Sequence, residues 1–336
     1  MPGALLPSSI AAEVLAEASA PWLKSALARA QATSAERVDG GAPHLDWLWR
    51  RFGGSGAAIT APYALRALAP DESAGLQSWQ VDPVHFAFAR DHMLVSPLDA
   101  PLAIDEAGLL AAQLRAALVE MGIDAALHLH AGHWLLSLAA PWSLRTTALD
   151  AAVGQSALEH WPSGDDAAIW LRLLTEVQMR WHIEPTNDAR EAAGRPTVNG
   201  LWVHGGGRWH VLPRQPYGAV ASDDPVLRGW ALASGVAAAA LLDDSAVPPA
   251  KAEVLTIRRD LLAAAQFEAW GQWIERLAGL DLQLRRLHEA CLAAGGDELE
   301  LVLCGRQQVR VVPLRRGDSW RLWRKTPVTP LLAEAE

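Results

Sequence analysis

The densest run of reactive side chains lies in residues 176–207, EVQMRWHIEPTNDAREAAGRPTVNGLWVHGGG. Within it, Asn187, Arg190, Asn199 and His204 lead into Gly205, Gly206 and Gly207. A guanidinium pairs bidentately with carboxylate or phosphate. Consecutive glycines leave backbone N–H groups that form an anion-binding nest. His204 adds a third donor. The chemistry these types support is recognition of a small phosphorylated or carboxylate metabolite, with Arg195 and Arg208 as neighbouring cations. The same residues have a structural use. Asn187, Arg190 and Asn199, bonded together and facing the glycines, would fix the junction between a helix, a turn and a strand.

Asp82, His85 and His182 are secondary candidates. A carboxylate beside an imidazole orients a general base, although Asp82-Pro83 is also an ordinary turn opening. His128, His130 and His133 cluster on one hairpin. On a strand, His128 and His130 share a face, but no third ligand stands near them in sequence. No metal and no cofactor are therefore expected.

Positioning these groups requires particular elements. Pro162, Ser163 and Gly164 precede a helix, with Ser163 as cap and Asp166 completing a capping box. Trp170, Leu174, Val177 and Trp181 recur at helical spacing and mark its buried face. Pro185 ends it. Thr186 or Asn187 then caps a short turn over residues 188–193, closed by Gly194. Residues 201–203 form a strand that runs into the glycines, where a ligand can approach the backbone closely.

Composition bounds the rest. The chain has 336 residues, 51% of them apolar, enough for about two domains with real cores. A net charge of −9 without a basic run disfavours nucleic acid. The 16 tryptophans sit among apolar neighbours and read as core. Cys291 and Cys304 form no paired motif, so buried, reduced thiols are expected. No signal peptide is evident. No apolar run reaches the roughly 18 residues of a membrane span. A cytoplasmic protein, without nucleic-acid or membrane partners, is expected.

In chain order, helices are expected over residues 10–18, 21–30, 44–52 and 62–68, with residues 31–43 a loop. Gly53, Gly54, Ser55 and Gly56 read as a linker, because neither Lys-Ser nor Lys-Thr follows as in a phosphate loop. From Trp79 the pattern becomes β: a hairpin turning at Arg90-Asp91, a helix from Asp105 with Leu109, Leu110, Leu114 and Leu118 inward, and a hairpin turning at Ala131-Gly132. Later, a helix runs from Pro225 to about Leu242, then a break at Pro248-Pro249 and a strand at 254–257. Helices at 260–278 and 281–294 precede a terminal antiparallel sheet built from residues 299–303, 308–312 and 320–323. Asp223 and Asp224 occupy the positive end of the Pro225 helix and repel anions there.

Two resemblances follow from these residues. Residues 154–242 resemble archaeal-type cofactor-independent phosphoglycerate mutases. The carriers are Pro162-Ser163-Gly164, Pro185-Thr186-Asn187, Arg190, Gly194, Asn199 and the glycines 205–207. Over most of its length the chain is similar to the proteobacterial RpfE-type regulatory proteins, at Asp82-Pro83-Val84-His85, Glu176-Val177-Gln178-Met179 and Asn199-Gly200-Leu201-Trp202. Glu184, Thr186 and His204 depart from that pattern, where histidine, valine and an aromatic are common. The mutases belong to the alkaline-phosphatase-like superfamily. That superfamily uses an acidic metal ligand, a Ser or Thr nucleophile and an Asp-x-x-Gly-His segment, and no such set is visible here. Asp39-Gly40 lies in a polar loop, and Gly132-His133 lacks the aspartate.

The resemblance implies an alkaline-phosphatase and mutase-like α/β (mixed α+β) fold. Residues 1–78 are expected as an N-terminal helical region, 79–210 as an α+β module, and 211–336 as a C-terminal α/β region packed on the N-terminal helices. The expected function is a non-catalytic regulatory or small-anion-binding protein, with a protein partner also conceivable. The alternatives are a mutase-like or phosphoryl-transfer enzyme with a rearranged centre, and a scaffold without ligand.

Overall fold

The computed structural model describes residues 1–30, 33–38, 42–72, 75–88, 92–98, 101–239, 253–320 and 326–335. In chain order the elements are α1 (Ser8–Glu17), α2 (Pro21–Arg29), β1 (Ser34–Arg37), α3 (Pro43–Arg51), α4 (Ala61–Leu68), β2 (Gln77–Phe88), β3 (Met93–Pro97) and α5 (Ile104–Glu120). There follow β4 (Ala125–His130), β5 (His133–Leu138), α6 (Leu149–Ala152), α7 (Ala167–His182), α8 (Pro185–Ala192) and β6 (Gly200–Gly207). The chain ends with β7 (Ala219–Ala221), α9 (Pro225–Ser234), β8 (Ala237–Ala239), β9 (Val254–Thr256), α10 (Leu262–Gln266), α11 (Trp270–Ala293), β10 (Glu298–Cys304), β11 (Gln308–Arg315) and α12 (Thr329–Leu332). The architecture is mixed α/β. Among the described residues, no helix is long and apolar enough to cross a membrane.

The chain divides into two compact units. One joins residues 1–55, 212–224 and 234–336, and the other residues 56–211 and 225–233. The first division therefore falls at residue 55 and not at 78.

The second unit is built on β2. Its start pairs with β5 and its end with β3, both antiparallel, while β6 lies antiparallel along the opposite edge. The β4–β5 hairpin turns on Ala131 (φ 48°) and Gly132 (φ 83°), the two positive φ values that a tight hairpin turn requires. The turn at Arg90-Asp91 lies outside the described residues. Helices α5 and α7 cover the sheet. Trp170, Leu174, Val177 and Trp181 form the buried stripe that their spacing requires. On α5 the stripe is Leu110, Leu114, Ala117 and Leu118, and Leu109 points outward. The Trp181 ring is fully buried, T-shaped to Trp134, and its Nε1 donates to the Leu110 carbonyl at 3.1 Å. This is the pairing a buried indole requires.

The other unit has its own core of α1, α2, α11, β10 and β11 side chains. Its antiparallel sheet runs β1–β11–β10. The third strand is β1, from the segment expected as a loop, whereas Trp320 ends a 3₁₀ turn and residues 321–323 lie outside the described residues. Helix α9 stops at Ser234, because Gly235 (φ +73°) turns the chain into β8, which pairs in parallel with β7. The remainder of the expected helix, and Pro248-Pro249, lie outside the described residues. The two late helices divide at another place: α10 ends at Gln266, the chain turns at Glu268 (φ 54°), and α11 runs unbroken through Gly279. Cys304 is buried and Cys291 half-buried, both as free thiols.

Candidate functional site

The junction after α7 begins with Pro185, which starts α8 and leaves Asn187 within the helix, not at its cap. Asp166, and not Ser163, is the N-cap residue of α7, and it makes no side-chain cap bond; its carboxylate accepts from the Ser143 N–H at 2.7 Å. The Asn187 amide is buried. Its Nδ2 donates to the carbonyls of Trp181 (2.8 Å) and Val198 (2.9 Å), and its Oδ1 accepts from the Val198 N–H (2.7 Å). The side chain thus ties the end of α7 to the segment entering β6. Asn199 acts in the same way one residue later. Its Oδ1 accepts from the Phe86 N–H (2.6 Å) and its Nδ2 donates to the Phe86 carbonyl (3.0 Å). An amide side chain thereby continues the β2–β6 ladder.

Arg190 is only 2% exposed. Its Nε donates to the Pro196 carbonyl at 2.8 Å, and its Nη1 reaches both Glu106 oxygens at 3.4 Å. Arg195, on the surface, approaches the same carboxylate at 3.5 Å. Glu106 also accepts from the Ala103 N–H at 3.1 Å. The carboxylate that the arginines hold is therefore the protein's own.

Asn187 and Arg190 both fasten the segment 196–198 that leads into β6, and Asn199 follows it, but each has its own partners and none is at the glycines. Asn199 precedes the first residue of β6 and the glycines close its far end, about 20 Å away at ~3.3 Å per residue. The Gly205 carbonyl accepts from the Thr60 N–H at 3.0 Å, and Gly205 lies at φ +63°. A Cβ on Gly205 would overlap Thr60 Oγ1, one on Gly206 the Trp79 ring, and one on Gly207 the Ile59 side chain at 2.6 Å. The bare backbone admits these neighbours. Gly206→Ala is expected to destabilise the second unit by about 1–3 kcal/mol, the usual range for overpacking; an unchanged urea midpoint would remove this account.

Asp82 pairs with His204, not His85. The His204 Nε2–H donates to the Asp82 carboxylate at 2.7 Å between β6 and β2. Its Nδ1 is buried without a partner among the described residues. His85 donates from Nδ1 to the Thr197 carbonyl at 2.8 Å, and His182 is exposed at the end of α7. Of the other charges weighed from sequence, Arg208 Nη1 donates to the Gly75 carbonyl at 2.6 Å, and Asp224 pairs with Arg259 at 3.2 Å.

The shared face of His128 and His130 acquires a carboxylate that sequence proximity did not reveal. Glu72 Oε2 stands 2.5 Å from His128 Nδ1 and 3.0 Å from His130 Nε2. The other His128 nitrogen meets Ser137 Oγ at 3.2 Å, which in turn meets Ser78 Oγ at 3.1 Å. Hydrogen bonds from His130 and then His128 hold the Glu72 carboxyl below the usual carboxylate range. The expectation of no third ligand is corrected here.

No family model matches the chain, and no curated protein matches it. Among solved structures, the PH0037 protein from Pyrococcus horikoshii superposes over 90% of this chain and 82% of its own, with a TM-score of 0.52 at 13% identity. That likeness is one of fold. A cofactor-independent phosphoglycerate mutase from Thermoplasma acidophilum DSM 1728 aligns over 96% and 89% of the two chains, with a TM-score of 0.41 at 13% identity. A superposition that loose does not bear on function.

Proposed function

We propose that the chain is a non-catalytic regulatory protein that acts by binding, on a scaffold descended from the archaeal-type phosphoglycerate mutases and of the RpfE-type regulatory kind. The observation that carries this reading is the position of Glu106. It fills the fork of Arg190 and Arg195, where a ligand phosphate or carboxylate would sit. Asn187 and Asn199 are likewise committed to backbone groups. In the dyad Asp82–His204 the imidazole is buried and its Nε2 is spent on the Asp82 carboxylate. A protein partner has exposed apolar side chains to meet at Val119 on α5, Met179 on α7 and Ile183 just after it.

A second reading, a sensor of a small anion, is favoured by one feature. The Arg190–Glu106 contacts are long, at 3.4 Å, against about 2.7–2.9 Å for a strong charged pair. An external carboxylate or phosphate would then exchange with Glu106.

Calorimetry with 3-phosphoglycerate separates the two. Under the first reading the wild type is silent at millimolar ligand, and Glu106→Ala uncovers binding. Adding Arg190→Ala to that variant weakens binding by about 10- to 150-fold, the equivalent of ~1.5–3 kcal/mol for a bond to a charged group. Micromolar binding by the wild type, lost in Arg190→Ala, would establish the sensor instead. Mutase turnover by the purified chain with added manganese would overturn both.

A further inference from the structure

We propose that Glu72, His128 and His130 form a binding site for one divalent transition-metal ion of the zinc class. Three donor atoms converge: Glu72 Oε2, His128 Nδ1 and His130 Nε2, all within 4.8 Å of one another. Two imidazoles and one carboxylate are a recurrent ligand set for zinc with an open fourth position. Bonds of about 2.0–2.1 Å in tetrahedral geometry separate ligand atoms by roughly 3.3 Å. The separations to Glu72, 2.5 and 3.0 Å, would have to open by about 0.8 and 0.3 Å, which rotation of the half-exposed Glu72 side chain can supply.

The surroundings fit a ligand set better than a surface ion pair. Both rings address the same carboxylate oxygen, so the three donor atoms already point at one place. His128 must present a bare Nδ1 to a metal and carry its proton on Nε2, where Ser137 Oγ stands ready to accept it. Ser137 and Ser78 are both buried, and either hydroxyl can donate to the other, so the pair serves both tautomers. Such an outer hydrogen bond orients a ligating imidazole. Strand geometry fixes the i, i+2 pair on one face of β4. Glu72 arrives from the turn after α4, so a bound ion would cross-link chain segments 56 residues apart. Glu72 is 45% and His130 31% exposed, which leaves the fourth position to water or an incoming ligand. Magnesium, which demands near-octahedral oxygen ligands, is excluded by the nitrogen donors.

The test is titration of the full chain with zinc ion against a chromophoric chelator, beside elemental analysis after dialysis. One ion per chain is expected, bound at least ~10-fold more weakly in Glu72→Gln, His128→Ala and His130→Ala, and unchanged in His182→Ala. Glu72→Gln alters an exposed side chain and keeps the test valid if a histidine variant fails to fold. Zinc should also raise the unfolding temperature of the wild type and not of His130→Ala. Equal affinity in wild type and Glu72→Gln, or loss in His182→Ala as large as in His130→Ala, would overturn the proposal.

Discussion

Asn187→Asp is expected to destabilise the second unit by about 3–5 kcal/mol at neutral pH, the range for an uncompensated buried charge. The change is nearly isosteric, so packing is not the cause. The Val198 N–H keeps an acceptor, but the atom that donated to the Trp181 and Val198 carbonyls becomes a carboxylate oxygen facing both. Protonation restores one donor. Burial beside two carbonyls raises the folded-state pKa of the new carboxyl above the ordinary aspartate value of about 3.9. The folded state then binds more protons than the unfolded state, and stability falls as pH rises between the two pKa values. The deficit relative to wild type should therefore be smaller at pH 5 than at pH 8. Urea midpoints at both pH values measure it. A deficit independent of pH would show that the lost donors, and not the charge, dominate. Wild-type midpoints at both would sink the account of the junction.

Trp181→Ala should cost a similar amount, about 3–5 kcal/mol, as for other buried aromatic truncations. Trp181 fills the space between α7, α5 and β5, and its loss leaves a cavity and removes the second hydrogen bond of the Leu110 carbonyl, which lies inside α5. Trp181→Phe keeps most of the ring volume and loses the Nε1 bond, so about 1 kcal/mol is expected from that bond. The two variants are compared by denaturant unfolding followed by circular dichroism. Equal losses in Ala and Phe would mean that the hydrogen bond, and not the filled volume, is the larger contribution.

What was legible in the sequence is what period and local chemistry control. The buried stripe of α7, the β4–β5 hairpin and the shared face of His128 and His130 all follow from spacing within one element. What was not legible depends on distant chain. Glu106 lies 84 residues before Arg190, and Glu72 lies 56 before His128, so neither partner is suggested by its neighbours. Strand β1 is four exposed residues, Ser34 to Arg37, held by the backbone of β11. It carries no alternation to read. The alanines of β8 favour helix by propensity, and parallel pairing with β7 overrides them. The glycines of β6 are ambiguous in sequence because a bare backbone has two uses, and it is distant Trp79, Ile59 and Thr60 that take up the space beside them.

The pairing of β2 along both edges has a consequence in time. Its first neighbour, β3, is made almost at once, but β6 begins only at Gly200, more than a hundred residues after β2 ends at Phe88. At ~5–20 residues per second, a growing chain waits about 6–22 s for that last strand. During this interval the side of β2 that will receive β6 is an open row of N–H and C=O groups beside apolar Val81 and Val84, the template on which nascent chains associate. A unit closed by its latest strand depends in the cell on whatever shelters that edge until residue 207 has left the ribosome.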